Sequence, residues 1–120
     1  MTRVKRIEDN CYRGNNEITE IIIPTHITQF GKFSFANCTK LTKVIIPESI
    51  KIIPYCCFDG CYELKEIEMP KEIQLKNHCF CSCELLKGNK QIPDEFIEEI
   101  KIGEDEDENK NEYEDEYYWN

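Results

Sequence analysis

One short alternating beat of apolar residues returns along the chain. Ile21 with Ile23, Val44 with Ile46, and Ile67 with Met69 each leave a single residue between them. Ile18, Leu41 and Leu64 stand three residues ahead of these pairs, and Pro24, Pro47 and Pro70 follow them directly. A period of two predicts a short strand with alternate residues facing inward. Proline has no N–H to donate to a parallel ladder, so it marks the strand's end. A fourth proline, Pro93, keeps the same 23-residue spacing. A fixed period of this length predicts a solenoid, because no single unit can bury its apolar edge without a neighbour.

The rest of each unit keeps register with the prolines. An apolar pair comes next, Ile27 with Phe30, Ile50 with Ile53, and Ile73 with Leu75, and then one aromatic residue: Phe35, Phe58 or Phe80. Three residues past each aromatic lies Cys38, Cys61 or Cys83. Counting back gives Val4, Ile7, Tyr12 and, in the cysteine's place, Asn15. The expectation is a coil with Phe35, Phe58 and Phe80 stacked inside. The Asn or Cys is expected to donate to backbone carbonyls in a buried bend that no regular ladder serves.

The units "FGKFSFANCTKLTKVIIPESI" and "IPYCCFDGCYELKEIEMPKEI" resemble the BspA-type leucine-rich repeat over about residues 4–96. The resemblance implies an α/β-type, mostly β, right-handed leucine-rich repeat solenoid with short parallel strands, three full turns and partial ones. It also implies binding to other macromolecules. The fourth unit departs from the pattern. Pro70 to Phe80 is one residue shorter than Pro47 to Phe58, and Cys83 to Pro93 is one longer than Cys61 to Pro70. Gly88, Asn89 and Lys90 fall where the last strand's apolar beat should be, so that strand is expected to be frayed or to serve as a cap. The expected organisation is a solenoid over residues 1–96, a candidate capping segment over 97–103, and a disordered acidic tail over 104–120. Within "DEFIEEIKI", residues 94–102, Phe96 either begins a fifth turn at the Ile73 place or belongs to a short capping helix.

Charge separates the tail from the body. Residues 94–120 hold thirteen acidic residues against two lysines, a net of -11, while residues 1–93 carry +2. Composition of this kind argues for disorder. Tyr113, Tyr117, Tyr118 and Trp119 give the tail something to bury on a basic surface. No apolar run is long enough for a membrane span, and "MTRVKRIEDN" lacks the apolar stretch of a signal peptide. A cytoplasmic protein with no membrane contact is expected. The eight cysteines are then read as reduced thiols rather than a disulfide framework.

Most cysteines dissolve into the repeat. Cys57 and Cys79 share the place of Cys11 and Ser34, and buried cysteine behaves as a small hydrophobe. Cys56, His78 and Cys81 fall outside the pattern and are expected on the solvent-facing side of the bends. They are the candidates for a zinc-binding or enzymatic reading, although a closed zinc site takes four ligands. The acceptor pattern "NCT" at residues 37–39 adjoins Cys38 and lacks a secretion signal, and His26 stands alone in a turn. No phosphate loop, framed acid pair or nucleophile triad is present. Arg3, Lys5 and Arg6 do not make the basic stripe that nucleic acid requires. No cofactor and no catalysis are expected.

Outward residues of the strands remain as the candidate surface. Thr19, Glu20 and Ile22, then Thr42, Lys43 and Ile45, then Lys65, Glu66 and Glu68 form one ladder, with Ile22 beside Ile45 as an apolar centre in a polar rim. Strand propensity alone also favours outward isoleucine. The reading is a non-catalytic protein-protein interaction module that uses this face, with the tail as a second contact and end-to-end self-association as a further expectation. Two alternatives stand beside it: the metal or enzymatic protein on Cys56, His78 and Cys81, and a truncated or degenerate copy of a longer array.

Overall fold

The computed structural model describes residues 5–98. Among the described residues there are seven short strands: β1 (Arg6–Ile7), β2 (Glu20–Ile22), β3 (Gln29–Phe30), β4 (Lys43–Ile45), β5 (Ile52–Ile53), β6 (Glu66–Glu68) and β7 (Gln74–Leu75). All pairing is parallel, in three sheets ordered β1-β3, β2-β4-β6 and β5-β7. Ile21 faces Val44, which faces Ile67, so each strand meets the equivalent strand of the next turn. The chain is thus a mostly β, open solenoid of parallel strands. Among the described residues its helical content is limited to the 3-10 segments Glu84–Leu86 and Asp94–Phe96.

The strands before each proline arise where the alternating beat placed them. The strands after the prolines are additional, two residues each, and they pair Arg6 with Gln29 and Ile52 with Gln74. The shortening of the fourth unit is absorbed here: Ile53 pairs with Leu75, 22 residues on, so the missing residue lies between Ile73 and Gln74. The extra residue of that unit follows Leu86, which is buried as Leu64 is. No strand re-forms beyond it among the described residues. Gly88 turns the chain at a positive φ of 95°, which glycine adopts without a Cβ clash. Ile92 returns to the core at 2% exposure.

Aromatic rings form the axis of the core. Tyr12 stacks on Phe35 at 5.3 Å, Phe35 on Phe58 at 5.4 Å and Phe58 on Phe80 at 5.5 Å, with interplanar angles of 10°, 6° and 6°. Phe30 meets Phe35 and Phe58 edge-on, at 5.8 and 6.4 Å. Leu41, Leu64, Ile50 and Ile53 are fully buried around this column. Offset stacks and edge contacts are the favoured aromatic geometries, and the repeat delivers them because one ring occupies the same place in every turn.

The bends that carry the rings have their own axial ladder. The amides of Tyr12, Phe35 and Phe58 donate to the carbonyls of Ser34, Cys57 and Cys79, at 2.8, 2.9 and 2.8 Å. Those of Gly14, Asn37 and Gly60 reach Ala36, Asp59 and Cys81, at 2.8, 2.6 and 2.9 Å. Intervening amides close tight turns on the residue three back, as Cys38 does on Phe35 and Cys61 on Phe58. This alternation requires left-handed residues at two places in each bend: Asn10, Phe33, Cys56 and His78 at one, and Gly14, Asn37, Gly60 and Ser82 at the other. A Cβ at Gly60 would run into the Asn37 side chain of the preceding turn, so glycine suits both the conformation and the stacking there.

At its C-terminal end the chain covers itself. Phe80 and Ser82 donate to the carbonyls of Phe96 and Ile97 at 3.2 and 2.7 Å, the bonds that a further bend would accept. Ile97 is completely buried. Gln91 Nε2 donates to the carbonyls of Met69 and Pro70, at 3.4 and 3.2 Å. Of the sequence "DEFIEEIKI", Asp94–Phe96 forms a single 3-10 turn. Residues 99–103 of the expected capping segment and the acidic tail over 104–120 lie outside the described residues.

Phe58 stands between two rings of the column. Its replacement by Ala is expected to cost about 3–5 kcal/mol, as large core truncations do, measured by urea unfolding with a thiol reductant present. A loss below about 1 kcal/mol would show that the column does not hold the turns together.

Candidate functional site

Cys38, Cys61 and Cys83 are fully buried. Their thiols donate to the carbonyls of Tyr12, Phe35 and Phe58 at 3.3, 3.2 and 3.2 Å, which joins each turn to the one before it. Asn15 behaves differently from the expectation. Its Oδ1 accepts from the amides of Glu17 and Ile18, at 2.9 and 3.1 Å, because the first described bend has no preceding carbonyl to receive a donor. Burial pushes the Cys38 thiol up to about 11. For Cys61, the hydrogen bond with the Cys83 thiol and then burial push the value up strongly. Burial does the same to Cys57, which also shares a 3.3 Å hydrogen bond with Ser34 Oγ.

The out-of-pattern trio does not sit in solvent. Cys56 and Cys81 are buried, at 2% and 6% exposure, and His78 is half-buried. The physical reason is the bend itself. Cys56 and His78 occupy one equivalent left-handed place on successive turns, and the axial bonds draw those turns together. His78 lies edge-on to Tyr55 at 6.0 Å, continuing a line in which Tyr55 meets Phe33 at 5.5 Å and Arg13 covers the Phe33 ring at 4.4 Å. Cys81 Sγ donates to the Glu98 carbonyl at 3.6 Å. Burial pushes the Cys56 thiol up to about 12, which disfavours the thiolate that metal ligation and nucleophilic chemistry need. Among the described residues no three or more His, Cys, Asp or Glu side chains converge to hold a metal ion. All eight cysteines are free thiols, Cys11 alone being exposed.

The strand face carries the other candidates. β2, β4 and β6 align Glu20, Lys43 and Glu66 in one row and Ile22, Ile45 and Glu68 in another, at the spacing of about 4.8 Å that parallel strands impose. The Thr42 amide donates to the Thr19 carbonyl at 2.7 Å, and the amides of Lys65 and Glu66 both donate to the Thr42 carbonyl at 3.1 Å, so the threonine row is locked by backbone. Thr42 Oγ1 adds a bond to the Thr19 carbonyl at 3.0 Å. Ile22 is 70% exposed, whereas Ile45 is half-buried. The face therefore presents charge in alternating sign beside an apolar step at its β2 end.

Residues 2–103 match the BspA type leucine rich repeat region, in six copies. The chain belongs to the BspA-type leucine-rich repeat family. Among solved structures, a T. pallidum leucine rich repeat protein is similar at a TM-score of 0.68 and 21% identity, over 71% of this chain and 40% of that one. Such a likeness shows the fold alone. The chain spans less than half the length of that structure. No curated protein matches the sequence. Among the described residues no helix is long and apolar enough to cross a membrane.

Sequence reasoning missed the paired role of the bend positions. The recurring signal was Asn10 and Phe33 at the place of Cys56 and His78, and it carries no fixed residue type because backbone conformation, not side-chain chemistry, is what recurs there. The thiols carry a pH dependence. Cys38 and Cys56 rise in the folded chain from the ordinary value of 9.0 to about 11 and about 12. Their stabilising contribution is complete below 9.0 and is lost as the pH climbs through those folded values. Urea midpoints are expected to fall between pH 9.0 and 11, and Cys38→Ser is expected to reduce the fall. An identical pH profile for that variant would place the titration elsewhere.

Proposed function

We propose that the chain is a non-catalytic protein-interaction module that binds through the strand face, with Thr19, Glu20, Ile22, Thr42, Lys43, Ile45, Lys65, Glu66 and Glu68 as its contact surface. The observation that carries this reading is the ladder register. It holds Glu20, Lys43 and Glu66 abreast and Ile22 beside Ile45, an apolar centre in a charged rim on a rigid backbone. A preformed strand face loses little conformational freedom on binding, so its contacts contribute to affinity more fully than those of a loop. Alternating charge discriminates among partners more than it adds affinity.

Two further elements belong to the proposal. The acidic, aromatic segment over residues 104–120 is read as a second contact for a basic surface, supported by the concentration of acidic charge after residue 93. Its electrostatic share should weaken as the Debye length falls from about 10 Å at 0.1 M salt to about 3 Å at 1 M. A reducing, cytoplasmic setting is supported by free thiols at all eight cysteines, since oxidising compartments favour disulfides.

The test is a pulldown from the native cell extract. It compares the full chain, a version ending at Gly103 and the double variant Ile22→Ser with Ile45→Ser, each first matched to the parent by circular dichroism. Loss of a partner only in the double variant is the expected result for the strand face. A loss confined to the shortened chain would move the contact to the tail, and unchanged partners in both would reject both surfaces.

A further inference from the structure

The two ladders of the coil stop at different turns. The bend ladder runs on past the fourth bend, where Phe80 and Ser82 donate to the carbonyls of Phe96 and Ile97. Among the described residues the strand ladder β2-β4-β6 stops at β6, although the chain runs on through residues 87–98. The cause lies inside the chain: Gly88, at a φ of 95°, turns the fourth unit away from the place where its strand would lie. Within β6 the backbone alternates. The Glu66 amide donates to the Thr42 carbonyl, and the Glu68 carbonyl accepts from the Ile46 amide, so Glu66 and Glu68 turn their polar groups toward β4. Ile67 between them turns its amide and carbonyl the other way, and among the described residues neither group meets a hydrogen-bond partner. Just beyond, Gln91 Nε2 donates to the carbonyls of Met69 and Pro70. That side chain does what the backbone of a fourth strand would do, but it reaches only the end of the edge. An unpaired edge is a template for strand addition.

We propose that the β6 edge binds an extended segment of a partner protein as a fourth strand of the sheet, and that this segment alternates basic and apolar residues. The inference rests on the interaction reading above and deepens it, moving the main contact from the strand face to its edge and naming the partner's chemistry. The backbone of the segment takes up the amide and carbonyl of Ile67. By the two-residue period of a strand, its residue abreast of Ile67 faces inward beside the half-buried Met69, and its two neighbours stand outward beside the exposed Glu66 and Glu68.

Charge selects the occupant. Opposite charges abreast on one face of a sheet stabilise the pairing, and like charges oppose it. Among the described residues Glu66 and Glu68 have no ion-pair partner. Lys87, which holds the place of Lys65 in the fourth unit, is already taken by Glu84 at 3.0 Å. A second copy fits badly: two β6 edges meeting antiparallel about Ile67 would set Glu66 opposite the partner's Glu68, and the symmetric pair likewise. The chain's own residues 94–120, with a net of -11, bring the same sign. A segment with lysine or arginine at alternate places meets neither repulsion, and apolar residues between them suit the inward side.

Fluorescence anisotropy of the full chain with short labelled peptides tests the proposal. A peptide that alternates lysine and valine is expected to bind at least about tenfold more tightly than one of the same composition with its lysines in a single block, because both serve loose carboxylates and only the first serves the edge. Glu66→Lys with Glu68→Lys is expected to weaken the alternating lysine peptide by at least about tenfold and to gain binding of a peptide that alternates glutamate and valine, a gain that no folding defect produces. Hydrogen exchange of the unsubstituted chain gives the location: the Ile67 amide is expected to slow when the lysine-valine peptide is added. The double variant Ile22→Ser with Ile45→Ser leaves the β6 edge in place and is expected to keep the peptide, so a failure of the edge and a failure of the strand face appear in different proteins. Equal binding of the alternating and block peptides, an Ile67 amide unmoved by the peptide, or loss of the peptide in that double variant overturns the proposal. Protection of the Ile67 amide in the free chain at every concentration would give the edge to the chain's own residues, and protection that rises with protein concentration would give it to a second copy; either result overturns it equally.

Discussion

Adjacent turns are joined at the bend by amide-to-carbonyl bonds along the coil axis, and those bonds form only if every bend has the same contour. The chain obeys this constraint. Asn10 to Asn15, Phe33 to Cys38, Cys56 to Cys61 and His78 to Cys83 are equal in length, and their left-handed residues recur in step. Length does vary in the fourth unit, but only away from the bend, between Ile73 and Gln74 and beyond Leu86. A one-residue change inside a bend would misdirect its axial donors and shift the stacked ring out of the column. Buried amides left without acceptors cost about 1–3 kcal/mol each, so the bend is where the fold has least freedom.

The left-handed places show what the constraint costs. A residue with a Cβ in that conformation is disfavoured by about 1–2 kcal/mol, yet Phe33, Cys56 and His78 all adopt it. Each does so between amides that bond to the next turn, and the line from Arg13 through Phe33 and Tyr55 to His78 adds ring contacts over the same ridge. Cysteine suits the buried side of the bend for a related reason. It is small enough for the close spacing of turns, and its weak donor adds a second bond, from the following turn, to a carbonyl that already closes its own tight turn.

This explains which parts of the molecule were legible in the sequence. The strand before each proline, the ring column and the small-residue column beside it were all readable, since side-chain type and spacing both recur. The strands after the prolines were not, because two residues such as Gln29–Phe30 or Gln74–Leu75 are too short to display alternation. Cys56 and His78 looked exceptional because residue type was the only available guide, whereas the fold holds their place by backbone conformation. The outward ladder Thr19, Glu20, Ile22 through Glu68 was legible as geometry once the register was known. Its use is a matter of chemistry supplied by a partner, and no spacing within this chain encodes that.

A solenoid of equal bends has no intrinsic reason to stop, so its ends are where sequence must intervene. At one end the chain departs from the repeat after Leu86: Gly88 turns it away from the strand position, and Phe96 and Ile97 return to supply the carbonyls that another bend would have offered. The departure from the pattern is thus a means of satisfying the last axial donors. In the first described turn Ile7 and Tyr12 hold their regular places, and Asn15 turns its oxygen inward to local amides instead of reaching along the axis. A local acceptor thus settles two amides that follow the first described bend, where the later turns place a thiol that reaches back along the axis instead.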